Sequence, residues 1–340
     1  MMREWYGRVL DDLLLGMAAL RRLEAKRFMG QDLRWCDLKI LIIGGSGFIG
    51  SHLCRRLYDK GSEVHATSRY QRESSASDFM WWQADTADLA AARRVLRSTR
   101  PDIIFHLAGA VGAAPDLALV LPTYHSLLTS TVNVLVTATE LGCRRIFLAG
   151  SFTEPKLGEV EPIPASPYGA AKWMSTAYGR MFHCLYQTPV VNLRPFMTYG
   201  PAQASTKLIP SVTLSLLRGE APKLSTGKTK ADWVYITDVI DAFLRAVTTP
   251  AIEGKSIDLG TGTLFSVRDV VDRLVNIADT NVQPLFGALP DRPAENEVAA
   301  NTAVASELLE WKATTSLESG LRQTFEWFKA QAATSKRNYC

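Results

Sequence analysis

The sequence has no long apolar run and few cysteines. Its apolar stretches fall short of the roughly 18 to 20 residues that span a bilayer, and Arg3, Asp11 and Asp12 interrupt the segment where a signal peptide would need its apolar core. The five cysteines form no CxxC pair, which argues against a disulfide framework and against a zinc site. We therefore expect a cytoplasmic protein with no transmembrane span and no bound metal.

Runs of like charge and low-complexity tracts are also missing. The 38 basic residues exceed the 34 acidic ones by four, and they are spread thinly along the 340 residues. A nucleic-acid-binding surface would concentrate them, so we expect no nucleic-acid partner. With 47% hydrophobic residues and 23 glycines, the chain resembles neither a disordered nor a collagen-like protein. Its length allows two domains, or one large α/β unit with an appended lobe.

Residues 1–37 differ from the rest of the chain. Apolar side chains recur at three- and four-residue intervals within residues 5–20, and four basic residues follow within 21–27. This spacing predicts an amphipathic N-terminal helix. Three roles are open for it: a membrane-surface anchor, a dimerising arm, or a helix packed on its own domain. Met29 also leaves open a later start of translation.

From residue 38 onward, short apolar runs alternate with helix-length segments, which predicts an α/β fold with a Rossmann-type doubly wound parallel sheet. The runs are rich in β-branched residues and nearly continuous, as in strands buried on both faces. After about residue 195 the alternation loosens, which predicts a smaller C-terminal lobe. The predicted strands are 38–43, 63–67, 102–107, 145–149 and 190–193, and the predicted helices are 49–60, 87–98, 127–141 and 169–185.

A glycine-rich turn follows the first predicted strand. Gly44, Gly47 and Gly50 form a GxxGxxG between this strand and the next helix, which is the context that a dinucleotide-binding motif requires. Glycine permits the tight turn and lets the backbone approach a pyrophosphate, which binds the N–H groups at the positive end of the helix. The predicted cofactor contacts are Gly44, Ser46, Gly47, Phe48, Ile49 and Gly50.

The end of the second predicted strand bears on the choice of cofactor. An NAD site is expected to place Asp or Glu about 20 residues after the glycines, but Ser68 and Arg69 stand there. A carboxylate would repel a 2′-phosphate, whereas a hydroxyl and a guanidinium would bind it. NADP(H) is therefore favoured and NAD is the alternative. The simplest structural interpretation of Arg69 is an exposed loop residue.

Two further segments lie on the expected path of the cofactor. Asp85, with Thr86 beside it, ends an apolar run and could accept a hydrogen bond from the adenine amino group. The predicted strand 102–107 ends in His106, a residue type that is more often structural, and Leu107, and it is followed by Ala108 and Gly109. We include Leu107, Ala108 and Gly109 among the cofactor contacts.

Tyr168 and Lys172 form a YxxxK at the start of a predicted helix, so that both side chains lie on one face. An ammonium beside a phenol favours the phenolate and is expected to lower the pKa of the tyrosine toward a value useful for proton exchange. Ser151 follows the predicted strand 145–149, at the edge of the sheet that faces a ligand crevice. We expect these three residues to be catalytic.

The combined motifs resemble those of the extended short-chain dehydrogenase/reductases, a family of nucleotide-sugar epimerases, dehydratases and 4-ketoreductases. The resemblance covers about residues 38–330. It implies a dinucleotide-binding domain at 38–195, completed by about 233–262, a substrate lobe at 196–232 and 263–330, and a tail at 331–340. The motifs are GGSGFIG (44–50), HLA (106–108), AGS (149–151), YxxxK (168–172), LRP (193–195), YGP (199–201) and DWVYITDV (232–239).

The resemblance also implies roles for individual residues. Tyr168 would transfer the proton, Lys172 would lower its pKa and hold the nicotinamide ribose, and Ser151 would bind the substrate oxygen at C4. Arg292 matches an arginine that binds the substrate diphosphate, although a loop salt bridge is the alternative. The remaining implied substrate contacts are Phe152, Thr153, Lys207 and Leu208, and a solvated surface position is equally open for Lys207.

Departures from the family pattern narrow the reaction. Family dehydratases carry Asp-Glu directly after the catalytic hydroxyl, whereas Ser151 is followed by Phe152, Thr153 and Glu154, so dehydration is disfavoured. Leu127 stands where Asn is often found, and Ala231 where Arg is often found.

These features favour an NADPH-dependent 4-ketoreductase of a nucleoside-diphosphate 4-keto-6-deoxyhexose. The nearest alternative is a nucleotide-sugar 4-epimerase with tightly held NAD. Two others are a reductase of another carbonyl compound and a non-catalytic NADP-binding sensor or scaffold. We expect a homodimer.

Overall fold

The structure, a computed structural model, describes residues 34–72, 79–112, 114–155, 161–291 and 297–337. The N-terminal helix predicted for residues 1–37 lies outside these ranges, except for a 3-10 turn at Trp35–Asp37. The strands are β1 (Lys39–Ile43), β2 (Glu63–Ser68), β3 (Met80–Gln83), β4 (Ile103–His106), β5 (Arg145–Ala149), β6 (Val190–Pro195), β7 (Met197–Tyr199), β8 (Lys223–Leu224), β9 (Lys230–Tyr235), β10 (Ser256–Leu259), β11 (Leu264–Ser266) and β12 (Leu285–Phe286). The helices are α1 (Phe48–Asp59), α2 (Leu89–Thr99), α3 (Val120–Thr123), α4 (Ser130–Leu141), α5 (Pro167–Tyr186), α6 (Leu208–Leu217), α7 (Ile236–Thr248), α8 (Val267–Ala278), α9 (Thr302–Leu309) and α10 (Leu317–Arg337).

Seven strands form one parallel sheet in the order β10-β6-β5-β4-β1-β2-β3. The order reverses between β1 and β4, whose registers pair Ile43 with His106. At such a switch point the loops after two neighbouring strands diverge and leave a crevice at their carboxyl ends, which is where open α/β sheets bind ligands. The doubly wound parallel sheet predicted from the sequence is confirmed.

The continuous apolar runs are explained by burial on both faces of this sheet. Along β1, Ile40 and Ile42 pack on one side with Leu53 of α1, while Leu41 and Ile43 pack on the other with the side chains of α2 and α4. Successive residues of a strand point to opposite faces, so a strand covered on both faces must be apolar at every position. The two helical layers hold the carboxyl edge of the sheet in place.

The helical stretch Leu117–Leu141 is long and apolar enough to cross a membrane, so the expectation that no apolar stretch reaches this length is wrong. It contains a π-helical turn at Tyr124–Thr129, where the sequence predicts the start of an α-helix. Its C-terminal half is α4, and Val134, Leu135 and Ala138 of that helix are buried in the core beneath the sheet. This part of the stretch is therefore a core helix, and its apolar composition follows from its position against the sheet.

Two smaller sheets follow β6, one in the order β11-β9-β7 and one of β12 and β8. Asp232 on β9 is 1% exposed. Its carboxylate accepts hydrogen bonds from the main-chain N–H groups of Thr261, Gly262 and Ala300. The first aspartate of the DWVYITDV motif therefore ties the turn after β10 and the chain before α9 to this sheet.

The last helix continues to Arg337, into the stretch assigned to a tail. Its side chains pack on the smaller sheet: the Tyr235 hydroxyl donates to Gln323 Oε1. Leu321 and Phe325 on the same helix are buried. The C-terminal segment is thus part of the core as far as these residues.

Candidate active site

The predicted dinucleotide turn lies between β1 and α1 at the switch point of the sheet. Gly44 has a φ of +87°, and a Cβ there would lie 2.7 Å from the main-chain nitrogen of Ala108 on the neighbouring loop. Thr67 on β2 accepts a hydrogen bond from the Gly44 N–H at 3.1 Å. A Cβ at Gly50 would overlap the Gly44 carbonyl oxygen. Gly44 and Gly50 are required by this close packing of backbone, as the sequence motif predicts.

The N-terminus of α1 is open toward the crevice. Gly47 is its N-cap and carries no side chain to bond the first N–H groups. Ser46 and Gly47 are exposed, and Phe48 and Ile49 are half-buried. Unpaired N–H groups at a helix N-terminus bind phosphate oxygens. The residues of this turn therefore fit the pyrophosphate of a dinucleotide, with no side chain filling the space above it.

The ends of β2 and β3 border a polar cavity of about 390 Å³. Arg69 and Asp85 line it together with Arg94 from α2. Ser68 is buried, and its hydroxyl accepts from the Tyr70 N–H at 3.1 Å. Asp85 accepts from the Ala87 N–H at 3.0 Å. The structure thus brings Arg69 and Asp85 together, whereas the Ser68 hydroxyl already bonds its own loop.

Leu107, Ala108 and Gly109 continue from β4 beside the glycine turn and are half-buried. A side chain on Gly109 would overlap Leu127, which is 2% exposed. Leu127, which stands where Asn is often found in the family, therefore packs under this loop. The three predicted cofactor contacts line the crevice opposite α1.

His106 ends β4 and belongs to a buried hydrogen-bond chain. His106 Nε2 lies 2.7 Å from Ser130 Oγ, which lies 2.6 Å from Thr86 Oγ1. Burial, with a smaller contribution from the Lys172 charge, lowers the pKa of His106 to about 3. The histidine is neutral at physiological pH and is structural. Thr86, predicted as a cofactor contact, is 3% exposed and links this chain to the loop after β3.

Tyr168 and Lys172 lie in the first turns of α5, as the YxxxK spacing predicts. Ser166 caps this helix by accepting from the Gly169 N–H, and Pro167 occupies its first position. Lys172 Nζ donates to the Ala149 carbonyl at 2.7 Å, which ties the helix to the end of β5. The ammonium is 5.8 Å from the centre of the Tyr168 ring. The helix start and the carboxyl end of β5 are thereby joined.

Ser151 follows β5 and is 4% exposed. Its hydroxyl lies 2.9 Å from Thr153 Oγ1, and it is near enough to the Tyr168 phenol to lower the pKa of that group. The structure therefore brings Ser151, Tyr168 and Lys172 together from two elements that are distant in the sequence. A hydroxyl, a phenol and an ammonium in this arrangement can bind a carbonyl or hydroxyl oxygen and exchange a proton with it.

The protonation state of Tyr168 differs from the sequence prediction. Burial raises the pKa of Tyr168 to about 12, with a partial opposing effect from the Ser151 hydrogen bond and a further increase from the Glu154 charge. Burial also lowers the pKa of Lys172 to about 8. The direction is opposite to the expected lowering, because the half-buried position of the phenol disfavours the phenolate more than the Ser151 hydroxyl favours it. Tyr168 is a neutral phenol at pH 7.

The remaining predicted substrate contacts differ in how far the structure describes them. Phe152 and Thr153 are half-buried beside Ser151. Lys207 directly precedes α6 and is half-buried, and its Nζ donates to the Val111 carbonyl at 3.0 Å, so it joins the lobe to the loop after β4. Leu208 packs against the core. Arg292 lies outside the described residues.

Two residues near the site belong to none of the motifs recognised in the sequence. Arg94 reaches the polar cavity from the middle of α2, where a basic residue would be expected on a solvated helix face. Glu154 is 6% exposed, and Oε1 accepts from the Ser151 N–H at 2.6 Å. Only its position three residues after the predicted Ser151 could have drawn attention to Glu154.

The fold and the site together define an enzyme of the short-chain dehydrogenase/reductase type, with a nucleotide crevice at the switch point and a Ser-Tyr-Lys group beside it. The model of the NAD dependent epimerase/dehydratase family matches residues 40–260. The chain belongs to this family, as its sequence motifs predicted.

Among characterised relatives, the chain is 28% identical to a UDP-glucose 4-epimerase of Mycolicibacterium smegmatis, with 86% of this chain and 99% of the relative covered. It is 26% identical to a dTDP-glucose 4,6-dehydratase of Salmonella typhimurium, with 86% and 93% covered. The structure of UDP-glucose 4-epimerase from Thermotoga maritima with UDP-glucose superimposes with a TM-score of 0.79 at 25% identity, covering 86% of this chain and 99% of that one. UDP-glucuronic acid 4-epimerase from Bacillus cereus with UDP-glucuronic acid and NAD gives 0.77 at 25% identity, covering 86% and 100%.

Gly44→Ala should weaken dinucleotide binding at least tenfold and lower the free energy of unfolding by about 2 kcal/mol or more, because it adds a contact with Ala108 to the strain of a positive φ. Gly219→Ala is the matched control: its φ is +73°, but nothing lies within 4 Å of an added Cβ. Nucleotide fluorescence titration and urea unfolding measure the two effects. Equal effects of the two substitutions would contradict the close approach.

Proposed function

We propose that this protein is an NADPH-dependent 4-ketoreductase of a nucleoside-diphosphate 4-keto-6-deoxyhexose. The observation that carries this proposal is the grouping of Ser151, Lys172 and the Tyr168 phenol at the end of β5, with the phenol kept neutral by burial. Reduction of a ketone needs a hydride donor and a proton donor at the carbonyl oxygen. A phenol that retains its proton at pH 7 is the required acid.

Each member of the triad has a part in this reaction. The Ser151 hydroxyl binds and orients the C4 oxygen, and Tyr168 gives that oxygen its proton. The Lys172 ammonium holds the nicotinamide ribose and favours the phenolate left on Tyr168 after the transfer. NADPH, when bound, supplies the hydride. The larger sheet with its crevice would hold the cofactor, and the lobe built on the smaller sheets would hold the sugar nucleotide.

The preference for NADPH rests on the end of β2. Arg69 is exposed there and lines the polar cavity together with Arg94. Two guanidinium groups at this place suit a 2′-phosphate. Asp85 and Asp88 line the same cavity. Both could accept hydrogen bonds from the adenosine, but their charge opposes binding of the phosphate, and in this proposal the two guanidinium groups outweigh it.

Dehydration is the less suitable reaction for this site. The first carboxylate after Ser151 belongs to Glu154, and it is buried against the Ser151 main chain. Phe152 and Thr153 occupy the two positions between them and carry no acid or base for the loss of water. Glu154 is therefore directed into the protein and away from the substrate side of the triad.

A 4-epimerase with tightly held NAD is the second candidate. Two observations favour it: the 28% identity to the Mycolicibacterium UDP-glucose 4-epimerase and the fold shared with the Bacillus cereus epimerase solved with NAD. An epimerase must first remove a proton from a hydroxyl, which a phenolate does more readily than the neutral Tyr168 phenol. Cofactor retained on purification, with no net consumption of NADPH, would support the epimerase.

Tyr168→Phe should lower kcat for NADPH oxidation with a nucleotide 4-keto sugar by about 10²- to 10⁴-fold, because the proton donor is lost, while NADPH binding changes little. Tyr178→Phe, on the same helix and partly exposed, is the control and should retain full activity. Absorbance at 340 nm follows the reaction. Undiminished turnover in Tyr168→Phe would refute the enzyme proposal and favour a cofactor-binding sensor or scaffold.

Arg69→Asp should raise the Kd for NADPH by about 10- to 100-fold, because it removes a charge-assisted hydrogen bond to the 2′-phosphate. The Kd for NADH should stay within about threefold of its value in the unaltered protein. Arg322→Asp, on the exposed face of α10, makes the same charge change away from the crevice and should alter neither. Fluorescence titration with NADPH and with NADH measures the two Kd values in each variant. Tighter binding of NADH than NADPH by the unaltered protein would overturn the NADPH assignment.

The proposed enzyme is a cytoplasmic homodimer. An apolar face formed by the stretch before α4 and by α5 supports the dimer; its large exposed side chains are Leu117, Leu121, Tyr124, Trp173, Met174, Tyr178 and Leu185. Residues 117–139 contain no Asp, Glu, Lys or Arg. Depletion of charge with enrichment of aromatic residues is typical of the centre of a subunit interface, and a second copy of this chain would present the same face.

Leu121→Asp should convert the dimer to a monomer at micromolar concentration, because it places a charge at the centre of the apolar face. Leu289→Asp is the control: Leu289 is also half-exposed but lies in the lobe after β12. Light scattering coupled to size-exclusion chromatography gives the mass of each species. A monomeric unaltered protein would refute the dimer, and binding to lipid vesicles would instead assign the face to a membrane surface.

A further inference from the structure

Glu154 is a buried acidic residue next to the triad that the proposed reaction does not use. Its side chain is 6% exposed, and Oε1 accepts from the Ser151 N–H at 2.6 Å. A Cβ on Gly150 would lie 2.7 Å from Glu154 Oε1. The carboxylate is therefore pressed against the main chain that carries Ser151, and it occupies space that a side chain at position 150 would fill.

The charged groups around Glu154 come from three elements. Arg194 on β6 and Lys172 on α5 are the cations near it, and they and Thr176 on α5 lower the pKa of its carboxyl group. Arg194 Nε also lies 2.7 Å from Asp258 Oδ1 on β10. On β4, the neighbouring His106 is neutral. Glu154 is thus the carboxylate shared between the catalytic lysine and an arginine that already has an acidic partner.

We propose that Glu154 is a positioning residue that fixes Ser151 through its main-chain N–H and places a negative charge beside the Tyr168–Lys172 pair. The proposal rests on the proposed function, since it assumes that Tyr168 acts as the acid. Glu154 does not touch the substrate in this proposal. It acts through Ser151, whose hydroxyl position depends on the bonded N–H, and through the electrostatic field at Tyr168 and Lys172.

The electrostatics support the second part of the role. The negative charge of Glu154 raises the pKa of Lys172 against the effect of burial, and it adds to the increase that burial causes for Tyr168. Burial raises the pKa of Glu154 itself, while the Ser151 N–H, Arg194 and Lys172 favour its ionised form. If the charge of Glu154 is removed, the pKa values of both Tyr168 and Lys172 should fall, and the acid form of Tyr168 should be lost at a lower pH.

Glu154→Gln and Glu154→Asp separate the two contributions. Glutamine keeps an oxygen that can accept from the Ser151 N–H but loses the charge. Aspartate keeps the charge but is one methylene shorter, so it should lose the 2.6 Å bond. Glu140→Gln is the control, because Glu140 is exposed on α4 and pairs with Arg93.

The test is NMR of protein labelled with ¹³C at the tyrosine Cζ, in which the Tyr168 signal is the one absent from Tyr168→Phe. At pH 10.5 the phenolate fraction of Tyr168 should be about tenfold larger in Glu154→Gln, which corresponds to about one pKa unit, and unchanged in Glu140→Gln. In Glu154→Asp this fraction should stay near that of the unaltered protein, while hydrogen exchange at the Ser151 N–H becomes at least tenfold faster.

An unshifted Tyr168 signal in Glu154→Gln, or unchanged exchange at Ser151 in Glu154→Asp, would overturn the corresponding part of the proposal. Circular dichroism establishes that each variant is folded, and either variant alone tests its own part. These measurements need no substrate. A failure of the proposed function, seen as full turnover in Tyr168→Phe, is therefore distinct from a failure of this inference.

Discussion

The carboxyl edge of the seven-stranded parallel sheet is the constraint on which the other features depend. Parallel strands end at the same edge, so the loops after β1, β4 and β5 converge there although more than 100 residues separate Gly44 from Ser151. The backbone must pack very closely at this edge: Gly44 lies against Ala108 and Gly50 against Gly44. These contacts leave the N-terminus of α1 open and place the Ser-Tyr-Lys group beside the same crevice.

Burial decides the charge states of the groups at this edge. At pH 7 His106 is neutral and Tyr168 keeps its proton. The pKa of Lys172, about 8, lies close to that pH. Each shift disfavours the charged form, as removal from water requires. Glu154 opposes this tendency at Lys172. The charge states at this edge therefore reflect a balance between desolvation and one buried carboxylate.

The aspartates of DWVYITDV illustrate a motif that is structural. Asp232 accepts from three main-chain N–H groups, and Asp238 accepts from Thr314 and Thr315. A buried carboxylate with such donors costs little to keep charged, whereas its removal would leave the donors unpaired. The bonds of Asp232 attach the smaller sheet to the turn after β10, and those of Asp238 attach α7 to the chain before α10, so both aspartates have structural roles.

Local pattern in the chain was enough to predict the parallel sheet, the glycine turn and the YxxxK pair, because burial on both faces, backbone clearance and helical spacing each restrict the residues within a few positions. Residues 1–33 and Arg292 lie outside the described part of the structure, so those predictions stand untested. The protonation of Tyr168, the reach of Arg94 into the polar cavity and the contact of Glu154 with Ser151 could not be read from the pattern. They depend on which groups surround a side chain in space, and desolvation and Coulomb interaction act between residues that the chain keeps far apart.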